Sequence, residues 1–494
     1  MHLFTSQQLD TINKQDAYFV YCGIDSLLTH EINTKLDNLL DNTTRATYEF
    51  ERSFLGPVVQ MQRRGIAVSH KVRLATAAKI KEEILYLENL LGEITPLVYD
   101  KKLNHRSPIQ LREFFYDCLK IPPYTKSEKG VKRIIVNVDA LHSISHDYVR
   151  GIPFARLILA IRDLIKQHEV LTKTLCPDGR WRFSMNIGGT ETGRWSSSAS
   201  PFWTAGNIQN IRKELRHIFI PDPGKIFINI DLQGAEARCV AYLSGDENYI
   251  KAVETVDVHT CVASLCWGFP PERALADRKY YKEHSYRDIS KKLTYGSSYL
   301  GSAYTLAINT KIEQALVVEF QHKFFKQFPG IRRWHESVSR QLQENATLIS
   351  PFVRRRTFWQ RAWEDATLRE AVAFLPQSTV PDIINRVLYL LWYNNAPRIE
   401  VLCQVHDSIL MQTAIEDVAF AKETIKETVD FMVPVTDING ITRQMFIPIE
   451  FQQGFNWGPS YFKEGKWTNP HGMKTDNLLP QYSKDFPNGD VQLK

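Results

Sequence analysis

Cysteine is sparse. Seven occur in 494 residues, and none forms a Cys-x-x-Cys pair. That excludes the usual structural zinc patterns and a full disulfide framework, so reduced thiols in a cytoplasmic setting are expected. Long apolar runs are also missing. Without a run of roughly eighteen apolar residues, no membrane span and no membrane partner is expected. The opening stretch MHLFTSQQLDTINKQD lacks an apolar core, a small-residue cleavage site and arginine, so neither a secretory signal nor a transit peptide is expected. No internal repeat is visible, and no large excess of one charge: the net charge is +6. So mild a surplus permits nucleic-acid binding without requiring it. What remains is a globular composition, 43% apolar and 23% charged, long enough for roughly two to four domains.

Against that background one run stands out. Arg287, Lys291, Tyr295 and Tyr299 recur every four positions in RDISKKLTYGSSY. On a helix they form one slowly drifting stripe, roughly 18 Å long. Its two cations suit the phosphates of a nucleoside triphosphate, and an aromatic ring further along suits the base. On the stripe alone, a solvated face with two tyrosines over a core fits equally well.

The surrounding sequence reads as a mixed α/β body. Residues 73–93, 107–120 and 153–175 have helical apolar spacing, and KIPPYTKSEKGVKR is a basic loop. KIFINID (225–231) is a strand ending in Asp231, and GAEARCVAYLSGD (234–246) is a helix stopping at Gly245. Residues 246–370 are rich in helical patterns and include FVRRRTFWQR. IEVLCQVHDSILMQT (399–413) is a hairpin with Asp407 at its tip, and a helix follows at 415–432. Residues 463–494, rich in Pro, Gly, Asn and Lys, are expected to be a mobile tail.

Asp231 and Asp407 come from different strands. Taken singly, a strand-end Asp is usually a turn or cap residue. Brought together on one sheet, two carboxylates suit two magnesium ions, which prefer oxygen ligands and share them with substrate phosphates. Such a pair of ions can stabilise both the attacking and the leaving oxygen of a phosphoryl displacement.

These segments resemble the polymerase I family, the family A DNA polymerases. DLQGAEAR (231–238) resembles its motif A, RDISKKLTYGSSYLG (287–301) its motif B and QVHDS (404–408) its motif C. TGRWSSS (192–198), NIQNI (207–211), DVHT (257–260), PQSTVPDIINR (376–386), NHRSPIQL (104–111), YTKSEKG (124–130) and GFNWG (454–458) resemble further family segments in the same order. The likeness spans about residues 46–460.

It implies an α+β right-hand architecture: a thumb at 46–180, a palm with an antiparallel sheet at 181–245 and 371–462, and helical fingers at 246–370. It also implies a DNA-directed DNA polymerase, with primer-template DNA and dNTPs as partners. Asp231 and Asp407 would bind two Mg²⁺ ions. Arg287, Lys291 and His259 would hold the outgoing phosphates, with Lys291 also a proton donor. Tyr295 would pack on the incoming nucleotide, and Tyr299 would stand where a template base stacks. Gly296 would let that helix pack closely on DNA or a neighbour. Arg194, Gln377 and His406 would follow the minor groove and primer end. Arg369, Arg238, Arg162 and Lys166 are further DNA-contact candidates.

Glu236 would exclude a 2′-hydroxyl, which disfavours the alternative of a single-subunit RNA polymerase. The other alternative is a non-catalytic primer-template binding subunit. Tyr295, a tyrosine rather than phenylalanine, is associated with tolerance of dideoxynucleotides.

The chain departs from the family pattern in places. Gly234 stands where Gln is usual, and Ser408 stands where a third carboxylate is often found. Residues 199–206, ASPFWTAG, are additional, and their Phe and Trp are expected to form a local apolar plug. About 45 residues precede the thumb, where relatives carry an exonuclease domain; Tyr21 and Asp25 keep only the spacing of that domain's last motif. The expectation is a remnant or docking segment that meets a separate exonuclease subunit. The chain would then be a replicase without proofreading of its own, from a phage or mobile element and working in the host cytoplasm.

Overall fold

The computed structural model describes residues 13–128, 131–202, 204–255, 257–395, 398–463 and 466–475. At its centre lies a five-stranded antiparallel sheet. Its strands are β1 (Lys225–Leu232), β2 (Glu400–Val405), β3 (Ser408–Ala414), β4 (Ile449–Gly454) and β5 (Lys474–Thr475), in the order β2-β3-β1-β4-β5. β1 is the middle strand. Its run Ile226, Phe227, Ile228, Ile230 is at most 5% exposed, the continuous apolar pattern of a strand covered on both faces. Each such side chain contributes about 1.5–3 kcal/mol by leaving water.

The expected β1, the expected hairpin and the expected helix after β1 all form. That helix runs Ala235–Ser244. It begins after Gly234 at φ +60° and ends at Gly245 at φ +61°, left-handed positions that glycine adopts at no steric cost. The unusual glycine of motif A therefore has a backbone reason.

The long helix Asp365–Asn395 carries Pro376 and Pro381 inside it. The hydroxyls of Ser378 and Thr379 both donate to the Leu375 carbonyl, at 3.2 and 2.7 Å, within the stretch that the prolines interrupt. A second, separate core joins Leu91, Phe114, Phe115, Leu141, Phe154 and Ile158 from the helices His70–Ile94, Glu113–Cys118, Val138–Asp147 and Ile152–Leu171.

Several expectations need correcting. The basic stretch after residue 120 is not only loop: Thr125–Glu128 pairs with Val131–Ile134, while residues 129 and 130 of YTKSEKG lie outside the described residues. Residues 463–494 are not wholly a mobile tail, because Thr475 and Lys474 pair with Gln452 and Gln453 on the sheet edge. Residues 476–494 lie outside the described residues. Phe202 is 77% exposed and fills no plug, and Trp203 is outside the described residues.

A buried ion network ties the sheet's surroundings together. Arg354 is 6% exposed and Asp382, on the long helix, 1%. The guanidinium donates to Asp382 at 2.6 and 3.1 Å and to Glu51 at 2.6 Å. It lies flat against Gly193, at φ +77°, where a Cβ would come within 2.5 Å of it. Removing one partner strands the other charge in a dry place. Asp382→Ala is therefore expected to cost about 3–5 kcal/mol in urea unfolding. A loss below about 1 kcal/mol would mean that Glu51 alone satisfies Arg354.

Candidate active site

β1 places Asp231 directly between Ser408 on β3 and Glu450 on β4. Directly opposed residues share one face of a sheet. Asp407 occupies the two-residue turn before Ser408, and its carbonyl accepts from the Leu232 amide at 3.1 Å. The two aspartates are thereby brought to one end of the sheet. Surrounding protein, then the charges of Asp407 and Glu450, push the Asp231 carboxyl up to about 6, against Lys213 and Arg216. The Asp407 carboxyl is also raised, by burial first and by Glu236, while Arg194 and His406 oppose the shift. Carboxylates that resist ionising when alone are good hosts for a cation that would relieve them.

The turn is held in an uncommon conformation. His406 has φ +55°, a left-handed position that costs most residues about 1–2 kcal/mol. Its carbonyl accepts from the Gln404 side chain at 2.6 Å, and Gln209 in turn reaches Gln404 at 3.4 Å. The His406 side chain itself is exposed.

Beside the aspartates, Glu236 pairs with Arg194 and accepts from the Tyr299 hydroxyl at 2.7 Å. Burial, then the Glu236 charge, raises the Tyr299 phenol well above its ordinary value. Tyr295 is nearby: burial first, then Glu236 and Asp407, push its phenol up to about 12.

The predicted stripe is a helix, Tyr286–Ser298, opened by a capping box in which Ser285 and Asp288 satisfy each other's backbone amides. At Gly296 a Cβ would meet Leu306 at 2.2 Å, so the close packing there is against a neighbouring helix.

Further along the stripe, Arg287 makes a two-pronged pair with Asp257, at 2.7 and 3.3 Å. Burial pushes the Asp257 carboxyl up, but Arg287 and Thr260 bring it down to about 2. His259 follows on the helix Val258–Trp267, edge-on to Tyr295 with ring centres 5.9 Å apart. Burial pushes it down to about 4, so the ring is neutral. Its Nδ1 is buried with no partner among the described residues. Lys291 is exposed and makes no hydrogen bond or ion pair among the described residues.

The fold thus gathers Asp231, Asp407, Glu236, Arg194, Tyr295, Tyr299, His259, Arg287, Lys291 and His406 in one connected neighbourhood. Gln377 is half-buried on the long helix, and Arg369 is exposed two turns earlier on it.

Arg238 does not join them. It is 6% exposed, pairs with Glu254 at 2.7 Å and donates to the Phe446 carbonyl at 3.2 Å; buried in this way it braces the fold and is closed to DNA. Arg162 is also committed, donating to the His105 carbonyl at 2.7 and 3.2 Å, while Lys166 stays exposed.

Reading the sequence missed Glu450, Lys213, Arg216 and Gln404. Only Gln404 lay inside a quoted motif. The other three carry no local signal, because strand register and loop packing bring them in. Among the described residues no group of three or more His, Cys, Asp or Glu side chains converges as a metal cluster. The donor set is two carboxylates, the number that magnesium commonly takes from protein when substrate phosphates supply the rest.

The DNA polymerase family A model matches residues 74–458. Among curated relatives, DNA polymerase I of Caldicellulosiruptor bescii is 25% identical over 452 residues, covering 88% of this chain and 50% of that protein. The thermostable DNA polymerase I of Thermus caldophilus is 28% identical over 414 residues, covering 78% of this chain and 46% of the relative. The chain spans about half the length of the curated relatives it matches. Among solved structures, the POL domain of Pol1 from M. smegmatis, in complex with DNA primer-template and dNTP, superimposes with a TM-score of 0.69. It is 24% identical and covers 82% of this chain and 70% of that one. This likeness establishes the expected α+β polymerase fold.

The raised Asp231 carboxyl has a measurable consequence. Ionising it costs the folded chain more than the unfolded one, so the penalty is complete above about 6 and gone below the ordinary 3.8. In chelating buffer at pH 8, Asp231→Asn is expected to melt at a higher temperature than wild type. That gap should close as the pH falls from above 6 towards 4. A gap that stays constant over this range would show that the carboxylate carries no such penalty.

Proposed function

Because the chain belongs to DNA polymerase family A, we propose that it is a DNA-templated DNA polymerase that transfers a nucleotide from a dNTP to a primer 3′-hydroxyl. The observation that carries this reading is the convergence of Asp231 and Asp407 at one sheet end, beside Glu236 and Tyr295, with His259 against Tyr295 and Arg287 and Lys291 near His259.

Asp231 and Asp407 would hold two Mg²⁺ ions, which supply charge neutralisation at the reacting phosphate. The chain's own residues do the rest. Arg287, Lys291 and His259 bind the β- and γ-phosphates. Arg287 exchanges the Asp257 carboxylate for phosphate oxygens, which fit the same fork. The orphaned His259 Nδ1 supports a ligand on that side. The primer 3′-hydroxyl gives up its proton to solvent water, its oxygen bonds to the α-phosphorus as the bond to pyrophosphate breaks, and Lys291 gives a proton to the departing oxygen. Tyr295 packs on the incoming sugar and base. Glu236, fixed by Arg194 and Tyr299, closes the space that a 2′-hydroxyl would need, which favours DNA over RNA synthesis. Tyr299 holds the place of the templating base until the helix moves. Arg194, Gln377 and His406 suit the minor groove, where every base pair offers acceptors, and Arg369 and Lys166 remain exposed for phosphate contacts.

The separate core around Phe114 and Phe154 supports a thumb within 46–180, with palm at 181–245 and 371–462 and fingers at 246–370. On the helix Lys14–Asp37, Tyr18, Phe19, Leu27 and Ile32 are all more than half exposed. That suits docking to an exonuclease domain or subunit. The departures from the family motifs at Gly234 and Ser408 support the phage or mobile-element reading. No helix among the described residues is long and apolar enough to cross a membrane, in keeping with a cytoplasmic enzyme.

Extension of a recessed primer tests the reading. Wild type with Mg²⁺ and dNTPs should extend it, and Asp407→Ala should be slower by at least about a hundredfold. Equal extension by both would overturn the assignment. In the same assay Glu236→Ala should narrow the preference for dNTPs over rNTPs by roughly tenfold or more; an unchanged ratio would remove the gate from Glu236.

A further inference from the structure

After the turn that carries Arg354, the chain exposes two indoles. Trp359 is 90% exposed and Trp363 74%. The segment that carries them is anchored. Phe358 is 3% exposed, its amide donates to the Ala346 carbonyl at 2.7 Å, and Arg356 lies 4.4 Å over its ring. Ala362 packs on the main core. Two large apolar side chains standing out of an anchored segment call for a partner.

Charge says which kind. Arg354, Arg355 and Arg356 are all paired with carboxylates. Arg361, between the indoles, and Arg369, one turn into the following helix, are exposed and make no ion pair among the described residues. Aromatic faces beside unpaired guanidinium groups suit an unpaired nucleic-acid strand, whose bases stack on the rings while its phosphates meet the cations.

Position points the same way. Arg356 pairs with Glu191 and Arg354 packs on Gly193. The next residue, Arg194, reaches Glu236 in the site. Trp363 precedes the helix that carries Gln377. Twelve residues of helix separate Asp365 from Gln377, about 18 Å, or roughly five stacked nucleotides at 3.4 Å each.

We propose that Trp359 and Trp363, with Arg361 and Arg369, form a stacking platform for the unpaired template strand ahead of the catalytic site. This rests on the polymerase reading for the identity of the strand. It does not rest on it for the platform itself.

The test measures binding of the full chain to two recessed primer-templates by fluorescence anisotropy. One has a 5′ overhang of about ten thymidines, the other of one. The Trp359→Ala/Trp363→Ala variant should lose at least about fivefold in affinity for the long overhang. It should bind and extend the short one as wild type does. Trp359→Phe, which keeps an aromatic face, should retain most of the long-overhang affinity.

Unchanged long-overhang binding by the double variant would overturn the platform, as would equal losses on both substrates. Unchanged DNA binding with an altered sedimentation coefficient would assign the indoles to a protein contact instead. Failure of wild type to extend any primer would sink the polymerase reading and leave the binding comparison intact.

Discussion

Strand pairing in the central sheet forces negative charges together. Asp231 cannot leave its place between Ser408 and Glu450 without slipping the whole strand, and a slip by one residue would turn the buried isoleucines of β1 to the other face. Asp407 is fixed just as firmly by the tight turn that starts β3. The apolar core thus holds two carboxylates where desolvation first, and then neighbouring negative charge, oppose ionisation. Arg194, Lys213 and Arg216 offset only part of that cost. Under the proposed reading a cation would relieve that charge, and the stability that the carboxylates cost the fold would add to its binding free energy.

The same rigidity extends outward through buried polar contacts. The pair Arg354–Asp382, with Glu51, supports the loop at Gly193, and that loop presents Arg194 to Glu236. Gln209 and Gln404 support the strained turn at His406. Each chain runs from a long helix or an apolar strand to a side chain at the candidate site, so positions there are set by packing some distance away. Around Arg287 and Lys291 the arrangement is looser. Arg287 is held by a single carboxylate, Asp257, and Lys291 by nothing among the described residues. If the proposed phosphate site is right, an anion with more oxygens than Asp257 would compete for both, and this half of the site would respond to ligand while the aspartate half stays put.

The parts that were legible in the sequence are local. A helix stripe of three residues with Tyr299 at its C-cap, a strand ending in aspartate and a hairpin with aspartate at its tip form, because period and turn chemistry act over a few residues. Gly245 stops its helix for the same reason. The family resemblance added order and spacing, which single segments lacked. Arg238 shows the limit: it lies in a motif, yet its helix turns it into the interior against Glu254. The ASPFWTAG stretch shows another, since Phe202 faces solvent instead of packing.

From the sequence alone came the helix and hairpin that hold the candidate residues, the two aspartates and the cation stripe. Each depends on neighbours within one turn or one strand. Only the tertiary structure set Glu450 against Asp231, closed Glu236 between Arg194 and Tyr299, spent Arg287 on Asp257 and left Trp359 and Trp363 in the open. Those facts follow from strand register and from which helix faces meet, and both are fixed by the burial of apolar surface across the whole chain.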